Sequence, residues 1–430
     1  MNNINDVYKE FGNNFCLCPF LGAFYQTNKI KNTHQPNEDQ ESVNDIRPCS
    51  LVDYPQGPSQ WNVLDGNLSQ SRNNQHWIRL RKAFANGEYE TIPECRLCWS
   101  AEKQGAKPGR IGSNLHFAHH CTSDIMNEVQ QIIANDFVAS KLKSLDYFPS
   151  NYCNYACIMC SPGASTGRMT FEVSVLNRPF KTTLNHYDKD FLALLHEIEV
   201  LNFTGGETLM QPEVHEVIDY LINNDLASNI TIYLLTNASE YPEKFIPKFR
   251  KFRKVVFMCS IDGIDDVIEY QRRGAKWSTV AEVSKRISHH EFIESVVNFT
   301  LTAVNALNLP RFISWLDQNK INGVCVTPVF REDYMSVDAV PPELMQPLLE
   351  QLEQDLIQYK NIADAWTQKN TVELVETVIG ILKNSVHQPD YIRRLKYKTM
   401  NEDRASSKPF LEVVPEWQPY FDACKPPWLK

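Results

Sequence analysis

Three cysteines lie within one short stretch of the chain, NYCNYACIMC (151–160), at a C-x3-C-x2-C spacing: Cys153, Cys157 and Cys160. A structural zinc site normally uses four protein ligands in paired C-x2-C or C-x2-C plus His patterns, which this spacing does not match. Iron–sulfur cubanes are held by cysteine thiolates, and three thiolates on one loop leave one iron open to a ligand that is not protein. An open iron can chelate the amino and carboxylate groups of a methionine moiety. The spacing therefore favours a [4Fe-4S] cluster with one open iron.

Glycine-containing and polar turns follow several of the apolar runs that come after this loop. The segment FTGGET (203–208) contains Gly205 and Gly206, which allow a ligand to approach the backbone closely, and Glu207, which offers a carboxylate. Later runs end in LLTNAS, CSIDG and VTPVF. In barrels of parallel strands, ligands bind at the carboxyl ends of the strands. We therefore expect these turns to share one rim with the cysteine loop.

The elements that would position these residues alternate between β-rich runs and amphipathic helical stretches from about residue 143 onward. Six runs are rich in Val, Ile, Thr, Phe and Tyr, which favour strands. They cover 143–150, 197–203, 229–235, 254–261, 295–304 and 321–330. The stretches between them carry apolar residues at helical spacing. A repeated strand–helix pattern predicts parallel strands with right-handed crossovers, and six units predict an incomplete α/β barrel.

The loop and the turns together resemble the radical S-adenosylmethionine (radical SAM) superfamily, whose Cys-x3-Cys-x2-Cys motif follows the first strand of a partial (βα)6 TIM-like barrel. The resemblance implies that the three cysteines of the loop hold a [4Fe-4S] cluster that binds SAM. Met159 stands where the family often has an aromatic residue. The resemblance also implies contacts of the GGE turn with the SAM amino group and of later strand ends with its ribose, carboxylate and adenine. The residues concerned are Gly205, Gly206, Glu207, Thr236, Asn237, Ser260, Asp262, Val326 and Pro328.

A second group of cysteines precedes the predicted barrel. Cys95 and Cys98 form a C-x2-C pair, and Cys18 and Cys49 lie upstream. Four soft ligands on loops suit either zinc or a second four-iron cluster, and the spacing does not separate the two. Cys16 could replace Cys18 as a ligand.

This segment resembles the twitch and SPASM-like radical SAM proteins, which carry auxiliary iron–sulfur clusters. Their pattern has a Cys-x-x-Pro-aromatic start, a Pro-Cys step, a Gly-Asn-Leu turn, a Trp, an Arg/Phe helix and a Cys-x2-Cys-aromatic step followed by Glu. The corresponding residues here are Cys18-Pro19-Phe20, Pro48-Cys49, Gly66-Asn67-Leu68, Trp77, LRKAFANGE, Cys95 to Trp99, and Glu102. The resemblance implies an auxiliary [4Fe-4S] cluster on Cys18, Cys49, Cys95 and Cys98.

Several other chemistry-bearing residues have a structural explanation as well as a functional one. Cys259 and Cys325 lie inside apolar runs and are predicted to be buried hydrophobic residues. The histidine pair at 119–120 is predicted to lie on a solvated helix face. Arg272 and Arg273 follow the fourth strand, where one of them could grip a carboxylate through its fork or both could lie at the surface.

Composition restricts the classes of partner and the cell compartment. The chain has 430 residues, a net charge of -9 and 12 cysteines, with no basic patch, so nucleic acid and anionic membranes are not expected partners. The N-terminus has no signal-like pattern, and no run approaches the ~20 apolar residues of a membrane span. We expect a cytoplasmic protein with reduced thiols that bind metal. The predicted domains are a cysteine-rich auxiliary domain (1–140), the partial barrel (141–335) and C-terminal helices (336–430).

These observations predict a radical SAM enzyme, of an oxidoreductase or peptide-modifying type. It would cleave SAM reductively to a 5′-deoxyadenosyl radical and abstract hydrogen from a peptide or protein, or from a small molecule. A flavodoxin or ferredoxin would donate the electron. Two alternatives stay open: a non-catalytic iron–sulfur electron-transfer protein, and an interaction module stabilised by zinc.

Overall fold

The protein is described by a computed structural model that covers residues 3–32, 44–52, 61–103, 108–178, 180–184, 186–329 and 332–424. The strands in this part of the chain are β1 (Gly22–Gln26), β2 (Asn28–Asn32), β3 (Asp45–Arg47), β4 (Ser144–Phe148), β5 (Phe180–Leu184), β6 (Val200–Phe203), β7 (Thr231–Thr236), β8 (Lys254–Ser260), β9 (Ile293–Leu301) and β10 (Val324–Pro328).

The α-helices before and within the region of the predicted barrel are α1 (Ile4–Phe11), α2 (Cys18–Leu21), α3 (Leu68–Ser71), α4 (Gln75–Ala85), α5 (Arg96–Lys103), α6 (Gly109–His120), α7 (Ile125–Ala134), α8 (Thr166–Ser174), α9 (Phe191–Leu194), α10 (Pro212–Asn223), α11 (Ile246–Phe249), α12 (Asp265–Gln271), α13 (Trp277–Ser288) and α14 (Leu309–Gln318). The helices after it are α15 (Pro342–Lys360), α16 (Glu373–Lys383), α17 (Pro389–Asp403), α18 (Phe410–Val413) and α19 (Gln418–Ala423). Short 3-10 turns join several of them, and α16 follows a π-helical turn, Thr367–Val372.

Eight strands form one sheet in the order β10-β9-β8-β7-β6-β4-β1-β3, and β2 and β5 form a separate pair. Pairs β1–β4, β4–β6, β6–β7 and β9–β10 are parallel, whereas β3 runs antiparallel to β1. All six predicted strands are confirmed, and so is the α/β fold class. Residue 330, the last of the sixth predicted strand, and residues 425–430 of the predicted C-terminal domain lie outside the described residues.

The sheet also contains two strands that the sequence does not predict. β1 and β3 come from the cysteine-rich N-terminal segment, and β1 pairs in parallel with β4 from Gly22 opposite Ser144 to Gln26 opposite Phe148. β1 contains an alanine between its glycine and its aromatic residues, and it directly follows α2, so its composition gives little strand signal.

The chain divides into two compact units. The first comprises Met1–Asn151, Lys181–Leu234 and Lys244–Val255, and the second comprises Tyr152–Phe180, Leu235–Glu243 and Val256–Lys430. Within the described residues, no helix combines the length and the apolar character that crossing a membrane requires.

In the first unit, Glu199 links the segment before β6 to the segments before α7 and β4. Its carboxylate accepts hydrogen bonds from the backbone N–H and the hydroxyl of Thr122 and contacts the Lys143 ammonium at 3.2 Å. Burial alone would raise the pKa of Glu199, but these hydrogen bonds outweigh it and lower the pKa to about 2. The charged form of Glu199 therefore stabilises this unit.

In the second unit, the C-terminal helix α17 is joined to the helix that follows the cysteine loop. Arg168 of α8 and Glu402 of α17 are both buried, and the Arg168 guanidinium donates to the Glu402 carboxylate at 2.7 Å. Arg273, just after α12, donates to the Glu402 carbonyl oxygen at 2.6 Å. Helix α17 thus contacts both α8 and the segment after α12, which lie next to the cysteine loop.

Candidate functional site

The cysteine loop (152–161) is irregular in backbone conformation and is fixed from both sides within the second unit. The backbone N–H of Ala156 donates to the carbonyl oxygen of Arg273 at 2.9 Å. On the other side, α8 approaches the loop at Gly167, where an added Cβ would lie 2.5 Å from the carbonyl oxygen of Tyr155. Only glycine permits so close an approach, so α8 and the end of α12 together hold the loop in place.

Arg272 brings a positive charge to the cysteine loop. It is 8% exposed, and its Nη1 atom lies 3.9 Å from the Cys157 sulfur. Its Nε atom lies 2.7 Å from Oδ2 of the fully buried Asp262, an ion-pair contact that is not aligned as a hydrogen bond. Asp262 also accepts the backbone N–H of Thr300 at 2.7 Å. The carboxylate that pairs with Arg272 therefore belongs to the protein itself. The ion pair holds the Arg272 guanidinium next to the Cys157 thiol.

Two of the three thiols of the loop interact directly. A hydrogen bond between them raises the pKa of Cys157 and lowers the pKa of Cys160, burial raises both, and the positive charge of Arg272 acts in the opposite direction on both. Cys153 also acts on Cys160 through repulsion. The sulfurs of Cys157 and Cys160 thus lie close together, and the Arg272 cation favours their thiolate forms, which metal binding requires.

The third thiol of the loop is approached by the predicted site residue Asn237. Its side-chain amide lies 3.9 Å from the Cys153 sulfur and donates to the side-chain oxygen of Asn154 at 2.7 Å. The preceding residue, Thr236, is buried, and its hydroxyl accepts the backbone N–H of Ala238 at 3.1 Å. The end of β7 therefore lies against the loop, and side-chain N–H groups reach two of its three sulfurs.

The diglycine turn lies at the end of β6 in the first unit. Gly205 has a φ of +91°, and an added Cβ would lie 2.5 Å from the Ser150 carbonyl oxygen, so this position requires glycine. The Gly206 N–H donates to the same carbonyl at 3.2 Å. Glu207 is buried and precedes the 3-10 turn Thr208–Met210. This backbone conformation keeps the diglycine turn close to the end of β4. A ligand-binding turn that follows a strand has such a position.

The remaining predicted contacts lie on β8 and β10. Ser260 is the last residue of β8, and Val326 and Pro328 lie on β10, where Val326 is half-buried and Pro328 is exposed. Cys259 is buried, as predicted, but Cys325 is exposed, so its predicted burial is wrong. The reason is that β10 is the last strand of the sheet and pairs only with β9.

The donor set of the loop fits an anionic iron–sulfur cluster. It offers three thiols on one short segment, a buried cation beside one sulfur and an amide beside another. N–H groups directed at the sulfurs are the outer-shell contacts that stabilise such clusters and tune their potential. Cys153, Cys157 and Cys160 would hold the cluster.

Five thiols, one more than predicted, are grouped in the first unit. The Cys18 thiol forms hydrogen bonds with the thiols of Cys16 and Cys49. Burial, followed by repulsion from Cys49 and Cys98, raises the pKa of Cys95 well above its ordinary value. Deprotonating thiols so close together requires a bound cation, and soft metals are the natural partners. This group could hold a second cluster or zinc.

Among the described residues, no three His, Cys, Asp or Glu side chains lie where they could hold a single metal ion together.

Comparison with known proteins identifies the region that carries the cysteine loop. A model described as the radical SAM superfamily matches residues 147–308. Similar solved structures include anSMEcpe with bound AdoMet, at 17% identity over 51% of this chain and 61% of that chain (TM-score 0.39). SuiB of Streptococcus suis bound to S-adenosylmethionine is 15% identical over 66% of this chain and 63% of that chain (TM-score 0.37).

The chain thus spans about three fifths of the length of these two proteins. No curated protein matches it significantly. The family match covers the cysteine loop, the diglycine turn and the ends of β7 and β8. The part of the chain that matches the radical SAM superfamily is therefore residues 147–308.

Proposed function

We propose that this chain is a radical SAM enzyme. The observation that carries the proposal is the cysteine loop itself, with three thiols in C-x3-C-x2-C order and the Arg272 guanidinium and the Asn237 amide directed at two of the sulfurs. A [4Fe-4S] cluster bound there would supply the electron that cleaves SAM to methionine and a 5′-deoxyadenosyl radical able to abstract hydrogen from a substrate.

The chain's own residues would bind and orient SAM. We assign the cluster to Cys153, Cys157 and Cys160, and the amino group of SAM to the GGE turn. Residues at the ends of β7 and β8 would make polar contacts with SAM, and residues of β10 would pack against its adenine ring. The residues concerned are Gly205, Gly206, Glu207, Thr236, Asn237, Ser260, Asp262, Val326 and Pro328. Asp262 would act mainly through Arg272, because its carboxylate is already engaged with Arg272 and the Thr300 N–H.

We also propose that the thiols of the first unit hold an auxiliary [4Fe-4S] cluster, with Cys18, Cys49, Cys95 and Cys98 as its ligands. The grouping of these buried thiols with Cys16 supports a metal centre of soft ligands. A cluster with four protein ligands carries electrons or supports the fold. Such a centre could take the electron that a substrate loses after hydrogen abstraction.

The substrate class that we propose is a peptide or protein, with a small molecule as the second candidate. Proteins with auxiliary clusters of this type often modify peptides, and the acidic chain favours neutral or cationic partners. The electron donor would be a flavodoxin or a ferredoxin in the cytoplasm.

Anaerobic reconstitution with iron and sulfide, followed by dithionite and SAM, tests the proposal. The wild-type protein should release 5′-deoxyadenosine, and Cys157→Ala should abolish the release. An electron-transfer protein would bind iron and release none, and a zinc-stabilised module would contain zinc without iron after anaerobic purification.

A further inference from the structure

One face of the sheet in the first unit carries a row of neighbouring polar side chains. Phe24 of β1, Asp146 of β4, Asn202 of β6 and Tyr233 of β7 occupy matching positions in the strand register. Matching positions on adjacent strands project to the same face. The row therefore presents an aromatic ring, an acid, an amide and a phenol side by side.

The opposite face of β4 is covered by helix α9. Tyr147, one position along from the row, is buried and packs on Phe191 of α9 with ring centroids 4.6 Å apart. Asp146, Asn202 and Tyr233 are nevertheless partly exposed, although β4 and β6 have neighbours on both sides. Their exposure must therefore come from the face on which the row lies, which α6 covers in part, at Gly22 and at Tyr233.

Asp146 lacks a cationic partner within the described residues. The polar contact of its carboxylate is the side-chain amide of Asn202, which occupies one oxygen. Arg47, the cation in the same row, instead lies over the Phe24 ring at 4.3 Å and donates to the Gln26 side chain at 3.1 Å. Burial raises the pKa of Asp146 to about 6, against the opposing effect of the Asn202 hydrogen bond. The negative charge of Asp146 also raises the pKa of Cys49, and no cation among the described residues pairs with the carboxylate.

Two histidines of α6 face Tyr233 and add hydrogen-bonding capacity to the row. His120, which the sequence places on a solvated face, instead lies 2.6 Å from the Tyr233 hydroxyl through Nε2. The His116 ring lies 5.0 Å from the Tyr233 ring, and burial lowers the pKa of His116 to about 3, so it is neutral. His116 therefore adds no positive charge to this part of the row.

We propose that Asp146 binds a protonated primary amine of the substrate, with Asn202 and Tyr233 as its polar neighbours. A buried carboxylate that gains a cationic donor forms a charge-assisted hydrogen bond, among the strongest that proteins make. One oxygen is already occupied, so the point charge of an ammonium group fits better than the two-pronged guanidinium, which prefers both oxygens. This inference names a substrate class for the enzyme proposed above and depends on that proposal for its catalytic meaning.

The ammonium group could belong to a lysine side chain of a peptide or to a small alkyl amine. Binding to the anaerobically reconstituted full chain is measured by calorimetry with three probes: Nα-acetyl-lysine methylamide, its neutral isostere Nα-acetyl-norleucine methylamide, and cadaverine. We expect the lysine probe to bind at least roughly tenfold more tightly than the norleucine probe, because a hydrogen bond to a charged group contributes about 1.5–3 kcal/mol. Tighter binding of cadaverine than of the lysine probe would assign the site to a small amine.

Variants test whether this preference follows the charge at position 146. Asp146→Asn should bind the lysine and norleucine probes within twofold of each other, and Asn202→Ala should keep the preference because the carboxylate remains. The control Asp225→Asn changes an exposed acid of the same unit and should behave as the wild type.

Equal binding of the two probes by the wild type, or a preference that survives in Asp146→Asn, would overturn the inference. If Asp146→Asn does not fold, the probe comparison on the wild type and on Asn202→Ala decides. Because binding is measured without SAM or reductant, failure to form 5′-deoxyadenosine would defeat the proposed function and leave this result intact.

Discussion

Replacing Arg272 by glutamine should destabilise the second unit through Asp262. The Asp262 side chain is fully buried and pairs with the Arg272 guanidinium at 2.7 Å, so among the described residues the variant leaves this carboxylate with only the Thr300 N–H as a donor. Breaking a buried pair from one side costs about 3–5 kcal/mol. We expect the free energy of unfolding of the cluster-free protein to fall by that amount. Arg272→Lys should restore part of it, because lysine keeps the charge but not the planar fork.

Urea denaturation under anaerobic, reducing conditions measures this loss. The matched control is Arg286→Gln, which removes an ion pair with Glu243 at 3.0 Å whose side chains are 48% and 76% exposed. The control should cost less than about 1 kcal/mol. Arg272→Gln should also retain less iron after reconstitution, because Cys157 loses the adjacent cation. An Arg272→Gln variant as stable as the control would refute this reasoning.

Three further predictions concern the thiol group, the pH dependence of stability and the shape of the loop. Cys16→Ala and Cys18→Ala should each keep the auxiliary iron, since four thiols of the group remain and Cys16 can replace Cys18 as a ligand, while the double variant should lose about four irons per chain; loss in either single variant would contradict this. Glu199→Gln should lower the free energy of unfolding at pH 7 by up to about 3 kcal/mol. The pKa of Glu199 is lowered in the folded protein, so the stability difference between the wild type and Glu199→Gln should vanish as the pH falls from about 4.5 to about 2. A stability difference that does not change with pH would contradict the stabilising role of the ionised carboxylate. Gly167→Ala should reduce iron at the cysteine loop, because its Cβ would meet the loop backbone, whereas Gly112→Ala, with open space around it, should load iron as the wild type does.

The sequence predicts the elements whose composition is strongly biased. The six β-rich runs correspond to β4 and β6 to β10, and Val, Ile, Thr, Phe and Tyr are frequent across these runs. β1 was missed because it is short and directly follows the helix that begins at Cys18. Its place in the sheet depends on pairing with β4, more than a hundred residues later, which no local pattern reveals.

The candidate site shows the same division between local and long-range information. The cysteine spacing identifies the loop, but the pairing of Arg272 with Asp262 depends on how α12 packs. Asp146 was missed for a similar reason: in the run SLDYF, a lone acid between apolar residues is typical of the solvated face of a strand. Only the register with Asn202 shows that this face carries a row of polar groups. The incorrect burial of Cys325 arose because a sequence pattern does not show which strand lies at the edge.

The most direct test of the central claim is the formation of 5′-deoxyadenosine by the reconstituted protein, quantified by chromatography after addition of dithionite and SAM. The account predicts 5′-deoxyadenosine and methionine from the wild type and neither from Cys157→Ala. Iron-loaded wild-type protein that leaves SAM intact would contradict it.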